Sequence, residues 1–239
     1  MDTGLKGKTV LITGASQRMG KLAALTCARE GANLAICTSA KINELNQVAD
    51  EARSLGVAVV AEKCDITDAA SVAAFVGKVR DQLGRADVVI NTAGYRLEDK
   101  FMKTGLDDWE RNIAVNLSGP MLICRHVIPL MMERRWGRII NLSGLASYLG
   151  TSPAKAMVKF GIVGFTRGLA REFGEYGITA NCISPGGGGS GNGPLRPIQS
   201  IRRHGKMEEF VSLIVYLASE NAGFITGQCY LVEGGTYFQ

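Results

Sequence analysis

The chain has 239 residues, 46% hydrophobic and 21% charged, with a formal net charge of +5 at pH 7, an ordinary balance for a globular protein with a sizeable core. Its basic residues are dispersed, with only the short pairs Arg134-Arg135 and Arg202-Arg203, so nucleic-acid binding, which needs a clustered basic face, is not expected. No run approaches the roughly 18 consecutive apolar residues of a membrane span, and residues 1–6 carry no apolar leader, so neither a membrane partner nor secretion is expected.

Residues 9–13 read as a buried strand, and a helix over 20–30 follows, stopped by Gly31. Residues 34–37 form a second strand, and 43–55 a helix that closes at Gly56. A third strand over 57–61 leads to a helix over 71–83 closed by Gly84, and a fourth strand covers 87–90. A long helical region over 106–135 is expected to bend near Pro120 and Pro129. Then come a strand over 138–142, a helix over 153–176, a strand over 179–183, a helix over 207–217 and a strand over 229–232. Short, continuously apolar strands that alternate with helices predict an α/β protein. The expected form is one Rossmann-type doubly wound parallel sheet of about seven strands, with helices on both faces. No linker or internal repeat divides the chain, so 1–239 reads as a single domain. The stretch 186–193, GGGGSGNG, cannot build core and reads as a loop over a site or a disordered connection.

The first strand runs into Thr13-Gly14-Ala15-Ser16-Gln17-Arg18-Met19-Gly20, where a helix starts. Such a turn aims backbone N–H groups and a helix N-terminus at a pyrophosphate. Asn91-Thr92-Ala93-Gly94 follows the fourth strand, Ser184-Pro185-Gly186 follows the sixth, and Asn116 lies mid-helix. All lie at or beside the C-terminal ends of strands, where open α/β sheets bind ligands.

Together with Asp65-Ile66, Lys159, the run 181–186 and the tail motifs 225–228 and 232–235, these pieces resemble the short-chain dehydrogenase/reductase family over nearly the full length. The resemblance implies that Gly14, Ser16, Gln17, Met19 and Gly20 cradle a nicotinamide dinucleotide, and that Asp65 and Ile66 flank its adenine. It implies that Asn91, Ala93 and Gly94 border the adenosine ribose and pyrophosphate, and that Lys159 holds the nicotinamide ribose. Pro185 and Gly186 would close the cofactor site, with Ser190 where the family often has a cofactor-contacting threonine. Arg18 replaces the family's middle glycine, and points either outward or over the adenosine end, where it could fork onto a 2′-phosphate. The segment Cys37-Thr38-Ser39-Ala40-Lys41 has no Asp or Glu to bond a ribose 2′-OH, which favours NADP(H) over NAD(H), with Thr38 and Ser39 beside the phosphate. The alternative is that Arg18 and Lys41 are solvated surface charges.

In the family a Ser after the fifth strand polarises substrate, a Tyr on the next helix moves the proton, and a Lys four residues on supports it. Here Lys159 is in place, but Lys155 stands where the Tyr is expected, and Ser143 lies beside Gly144 at the serine position. Two residues could replace the Tyr. Lys155 shares a helix face with Lys159, and two ammonium groups in one pocket depress each other's pKa. Tyr148 lies in the loop after the fifth strand, on the side where substrate is expected. Each has a plainer reading, as a solvated lysine and a packing aromatic. Three functions therefore stay open: an NADP(H)-dependent oxidoreductase with a rearranged proton donor, acting on a small carbonyl, 3-oxoacyl or enoyl substrate; a cofactor-binding, catalytically inactive relative; or a non-redox enzyme on the same fold.

The six cysteines, Cys27, Cys37, Cys64, Cys124, Cys182 and Cys229, form no CxxC pair, and with two histidines no zinc site is expected. That usage fits a reducing cytoplasm. The resemblance further implies a homodimer or homotetramer, joined through the long fourth and fifth helices and the C-terminal region.

Overall fold

The computed structural model describes residues 2–97, 100–186 and 195–238. Its strands are β1 (Thr9–Thr13), β2 (Asn33–Thr38), β3 (Val59–Lys63), β4 (Val88–Asn91), β5 (Gly137–Leu142), β6 (Ile178–Pro185) and β7 (Cys229–Val232). They form one parallel sheet in the order β3-β2-β1-β4-β5-β6-β7. β1 and β4 are buried along their whole length, because helices cover both faces, and this is why they read as apolar runs without alternation.

The helices are α1 (Arg18–Arg29), α2 (Ile42–Ser54), α3 (Ala69–Leu83), α4 (Leu106–Ile113), α5 (Gly119–Arg134), α6 (Leu145–Leu149), α7 (Pro153–Phe173) and α8 (Met207–Ala218). On one face α1, α2 and α8 bring Ala24, Val48, Phe210 and Ile214 onto the sheet. On the other, Val72, Phe75, Ile123, Met131 and Leu169 come from α3, α5 and α7. The chain leaves β1 toward β2 and β3, then returns to β4 on the other side of β1. That reversal splays the connections apart and opens a crevice at the C-terminal ends of β1 and β4.

Three local features differ from the expectation. Asp68 starts α3 two residues early, its carboxylate accepting the Ala70 N–H at 2.9 Å. The helix expected over 106–135 with bends near Pro120 and Pro129 is interrupted at Ala114–Ser118, a π-helical turn just before Pro120. Pro120 follows at the start of α5, and its ring would crowd the carbonyl four residues back, so widening the preceding turn is the local solution. Pro129 is carried inside α5. Finally, the loop after β5 contains the short helix α6. The span Leu106–Arg134 is long and apolar enough to cross a membrane by length and composition. Within it Ile123, Cys124, Val127, Ile128 and Met131 lie in the core.

At the N-terminal edge of the sheet, buried Asp87 accepts the Thr9 N–H at 2.8 Å and two bonds from Arg85, at 2.5 and 2.6 Å. Beside it the Trp136 ring lies between the Lys8 ammonium, at 4.2 Å, and the Arg138 guanidinium, at 4.3 Å. Arg138 is 3% exposed and donates to the Ser219 and Gly137 carbonyls. These contacts fix the floor of the molecule and leave the opposite edge for the site.

Candidate functional site

The C-terminal edge of the sheet holds a cleft of about 1120 Å³. One wall is the turn between β1 and α1, where Gly14, Ser16, Gln17, Arg18, Met19 and Gly20 all face the cleft. Gly14 has φ +68°, and a Cβ on it would lie 2.9 Å from the Ala93 Cα. A Cβ on Gly20 would meet the Gly14 carbonyl and the Thr92 hydroxyl. Thr92 donates to the Thr13 carbonyl, and Ala93 N–H to Thr13 Oγ1 at 3.2 Å. The turn is thus pressed onto residues 92–94, and only glycine permits that approach.

No side chain caps α1, and its first turn holds no carboxylate, so its leading N–H groups face an anion site. Ser16 and Thr38 are linked through their hydroxyls at 3.3 Å, and Lys41 Nζ donates to Gln17 Oε1 at 2.7 Å. Thr38, Ser39 and Lys41 line the cleft, as do Asp65 and Ile66. Arg18 also lines it, with φ +50°, a left-handed conformation that costs a non-glycine residue about 1–2 kcal/mol. The glycine cradle, the uncapped helix and these cations fit a dinucleotide phosphate.

Thr92, Ala93 and Gly94 continue the wall. Asn91, expected beside the ribose, lies beneath it at 3% exposure. Its Nδ2 donates to Asn141 Oδ1 at 2.8 Å, and Asn141 Nδ2 donates to Thr166 Oγ1 at 2.9 Å. It is a strut tying β4 to β5 and α7.

Asn116 sits in the π-helical turn and lines the cleft. Its Nδ2 lies 3.0 Å from each of the Tyr95 carbonyl, the Asn112 carbonyl and Asn112 Oδ1. Asn112, buried at 1%, donates from Nδ2 to the Ala154 carbonyl at 3.0 Å, tying α4 to the first turn of α7. Asn112 is not marked by any family motif; its one signal in the sequence is its spacing of four from Asn116, which puts both on one helix face.

On α7, Lys155 and Lys159 both line the cleft. Lys159 Nζ donates to the Leu142 carbonyl at 3.2 Å. Burial pushes its pKa below the usual lysine value, opposed by the electrostatic influence of the nearby Cys182 sulfur; Lys155 is not a cause of that shift. Ser143 is turned away from the cleft, its Oγ donating to the Lys159 carbonyl at 2.7 Å. Gly144 takes its place in the lining.

Tyr148 does not line the cleft either, because α6 carries it outward. Its ring packs on Phe160 at 5.3 Å and Tyr237 at 5.5 Å. Next to it, Cys229 is partly exposed on β7, opposite Cys182 of β6. A hydrogen bond from the Cys182 thiol brings the Cys229 thiol down to about 7, aided by Tyr148 and the Arg167 charge and opposed by burial.

Pro185 and Gly186 complete the lining, and Ser190 lies outside the described residues. Three further cations, Arg96, Arg111 and Arg196, face the same space. Arg96 and Arg111 lie on the connection from β4 to β5 and Arg196 on the connection from β6 to β7, so no local spacing groups them. Among the described residues no cluster of potential metal ligands occurs.

Comparison with known proteins agrees with this architecture. Residues 8–192 match the short chain dehydrogenase family. The chain is 32% identical over 242 residues to a 3-oxoacyl-(acyl-carrier-protein) reductase of Staphylococcus aureus, covering 96% of this chain and 98% of that protein. It is 30% identical to a protein of the same name from Synechocystis, covering 98% of each. A blue fluorescent protein from a metagenomic library, solved in complex with NADPH, superposes with a TM-score of 0.90 at 28% identity, covering 98% of this chain and 100% of that one. The chain belongs to the short chain dehydrogenase family and is an oxidoreductase of that type, built on a fold that binds a nicotinamide cofactor.

Proposed function

We propose that this protein, as one domain, uses NADP(H) to reduce a carbonyl, of the 3-oxoacyl kind or an enoyl analogue, with Lys155 in place of the family's tyrosine. The observation that carries the reading is the convergence of Lys155, Lys159 and Asn116 on one cleft with the glycine cradle. Relatives named as 3-oxoacyl-(acyl-carrier-protein) reductases support the substrate class.

When bound, the nicotinamide supplies the hydride. The chain's own residues do the rest. Lys159 holds the nicotinamide ribose and places positive charge beside it. Lys155 gives a proton from Nζ to the substrate oxygen as negative charge develops there, and is reprotonated from solvent. Asn112 and Asn116 hold α4 against α7, so that the first turn of α7 keeps its aim. Arg18 and Lys41 are the cations nearest the ribose 2′ position in this reading, and no described carboxylate on β2 opposes them. Apolar residues exposed on α5 and α7, including Met121 and Phe160, support a homo-oligomer paired through these helices, and a cytoplasmic setting matches the reduced cysteines.

Calorimetric titration with NADPH and NADH tests the cofactor assignment, with Arg18→Gly alongside. NADPH should bind more tightly. The variant should lose roughly tenfold or more of that preference, since a hydrogen bond to a charged group contributes about 1.5–3 kcal/mol. It should also gain about 1 kcal/mol of stability, roughly 2–4 °C in Tm, by relieving the left-handed backbone. Binding of neither nucleotide would overturn the assignment.

A further inference from the structure

All six cysteines are free, and five of them are buried. The sixth, Cys229, is partly exposed on β7. Its register partner on β6 is Cys182, which is 0% exposed. Register partners on neighbouring strands point to the same face of a sheet. Here both pack with Ile162 and Val163 of α7. Neighbouring strands lie about 4.7–4.9 Å apart, inside the span of about 4.4–6.8 Å between Cα atoms that a disulfide bridges.

The surroundings single out one sulfur of the pair for first attack. Cys229 accepts the hydrogen bond of the Cys182 thiol, bonds to Tyr148 and feels the Arg167 charge, all of which favour its thiolate. The bond to Cys229 and burial together hold the Cys182 thiol well above its ordinary value, so the buried partner keeps its proton. Oxidation selects a thiolate that is partly exposed, in positive surroundings, with a second thiol in reach. Cys37 and Cys64 exchange a similar hydrogen bond, but at 0% and 1% exposure neither sulfur is open to attack from solution.

We propose that Cys229 and Cys182 form a peroxide-reactive dithiol site, which closes into a reversible disulfide between β7 and β6. In the first step the Cys229 sulfur attacks one oxygen of hydrogen peroxide. The S–O bond forms as the O–O bond breaks, and the second oxygen leaves as hydroxide and is protonated to water. Cys229 becomes a sulfenic acid, losing two electrons to the peroxide. In the second step the Cys182 sulfur attacks the Cys229 sulfur. The S–S bond forms as the S–O bond breaks, and the hydroxide that leaves takes the Cys182 proton as water. A dithiol reductant returns both thiols. The site stands outside the cleft and does not depend on the function proposed above.

The test treats the reduced full chain with hydrogen peroxide, blocks remaining thiols with N-ethylmaleimide after denaturation, and maps the unreduced peptides by mass. The peptides holding Cys182 and Cys229 should be joined, with the loss of two hydrogens. The six free thiols should fall by two, and dithiothreitol should restore them. Cys182→Ala should leave Cys229 as a sulfenic acid that dimedone labels, and Cys229→Ala should give neither the bond nor a label at Cys182. Mapping of the parent chain decides the matter should the buried variant fail to fold. Three results would each overturn the proposal: a bond between Cys37 and Cys64 instead, oxidation of Cys229 with no bond to Cys182, or no reaction at Cys229 under conditions that oxidise glutathione. Each of them leaves the oxidoreductase reading standing, because NADPH binding and turnover are measured separately.

Discussion

Replacing Lys155 with Met should lower kcat by roughly 10²–10⁴-fold, the contribution of a positioned general acid, equivalent to about 2.7–5.5 kcal/mol of barrier. NADPH affinity should change only within a few-fold, because Lys155 is assigned to the substrate oxygen and not to the nucleotide. Single-turnover oxidation of bound NADPH, followed by its absorbance, reads the chemical step directly. Lys155→Tyr is the informative partner. Under the proposed function it places a hydroxyl one helical turn before Lys159, and should be more active than Lys155→Met. Ser143, however, is committed to the Lys159 carbonyl, so the introduced tyrosine works without a serine beside it. A Met variant as fast as the parent would remove Lys155 from the chemistry.

The second large effect is expected at Gly20. Its added Cβ would meet the Gly14 carbonyl, a backbone atom, and the Thr92 hydroxyl. Neither can move freely, since Thr92 is bonded to the Thr13 carbonyl and Gly14 is pressed on Ala93. Gly20→Ala should therefore destabilise the protein by about 1–3 kcal/mol, as overpacking does, lowering Tm by roughly 2–4 °C for each of those kcal/mol. It should also weaken NADPH binding by at least about tenfold, because the shift opens the phosphate-binding turn. Thermal unfolding with and without NADPH measures both. A variant with unchanged Tm and affinity would mean that the turn is looser than the packing around Gly14 and Gly20 implies.

Much of the fold was legible because both-face burial writes itself as short apolar runs, and glycines marked the helix ends. Gly31, Gly56 and Gly84 all adopt positive φ where helices were expected to stop. What escaped was set by contacts distant in sequence. The π-helical turn depends on Pro120 meeting a helix already packed on the core, and nothing in the periodicity of 106–135 marks it. The short helix α6 reverses the aim of the loop after β5, taking Tyr148 out to Phe160 and Tyr237. Motif reasoning located the cleft but not which way each side chain turns. Asn91 and Ser143 occupy their motif positions, yet both spend their hydrogen bonds on structure beneath the lining. The cationic side of the cleft was invisible for another reason. Arg96 and Arg111 belong to the β4–β5 connection and Arg196 to the β6–β7 connection, and only the fold gathers them.

The placement of the two tryptophans gives the molecule a built-in optical division. Trp136 is held between Lys8 and Arg138 at the N-terminal edge of the sheet, the far end from the cleft. Trp109 sits on α4 against Phe101, at 6.3 Å, two residues before Arg111. Dihydronicotinamide absorbs where indole emits, so the fluorescence of Trp109 is poised to be quenched by energy transfer when the reduced cofactor docks. Trp136, held by Lys8 and Arg138 at the far edge of the sheet, is placed to report instead on global unfolding. A single emission spectrum thus carries two readouts, and changing Trp136 to Phe isolates the one beside the chemistry.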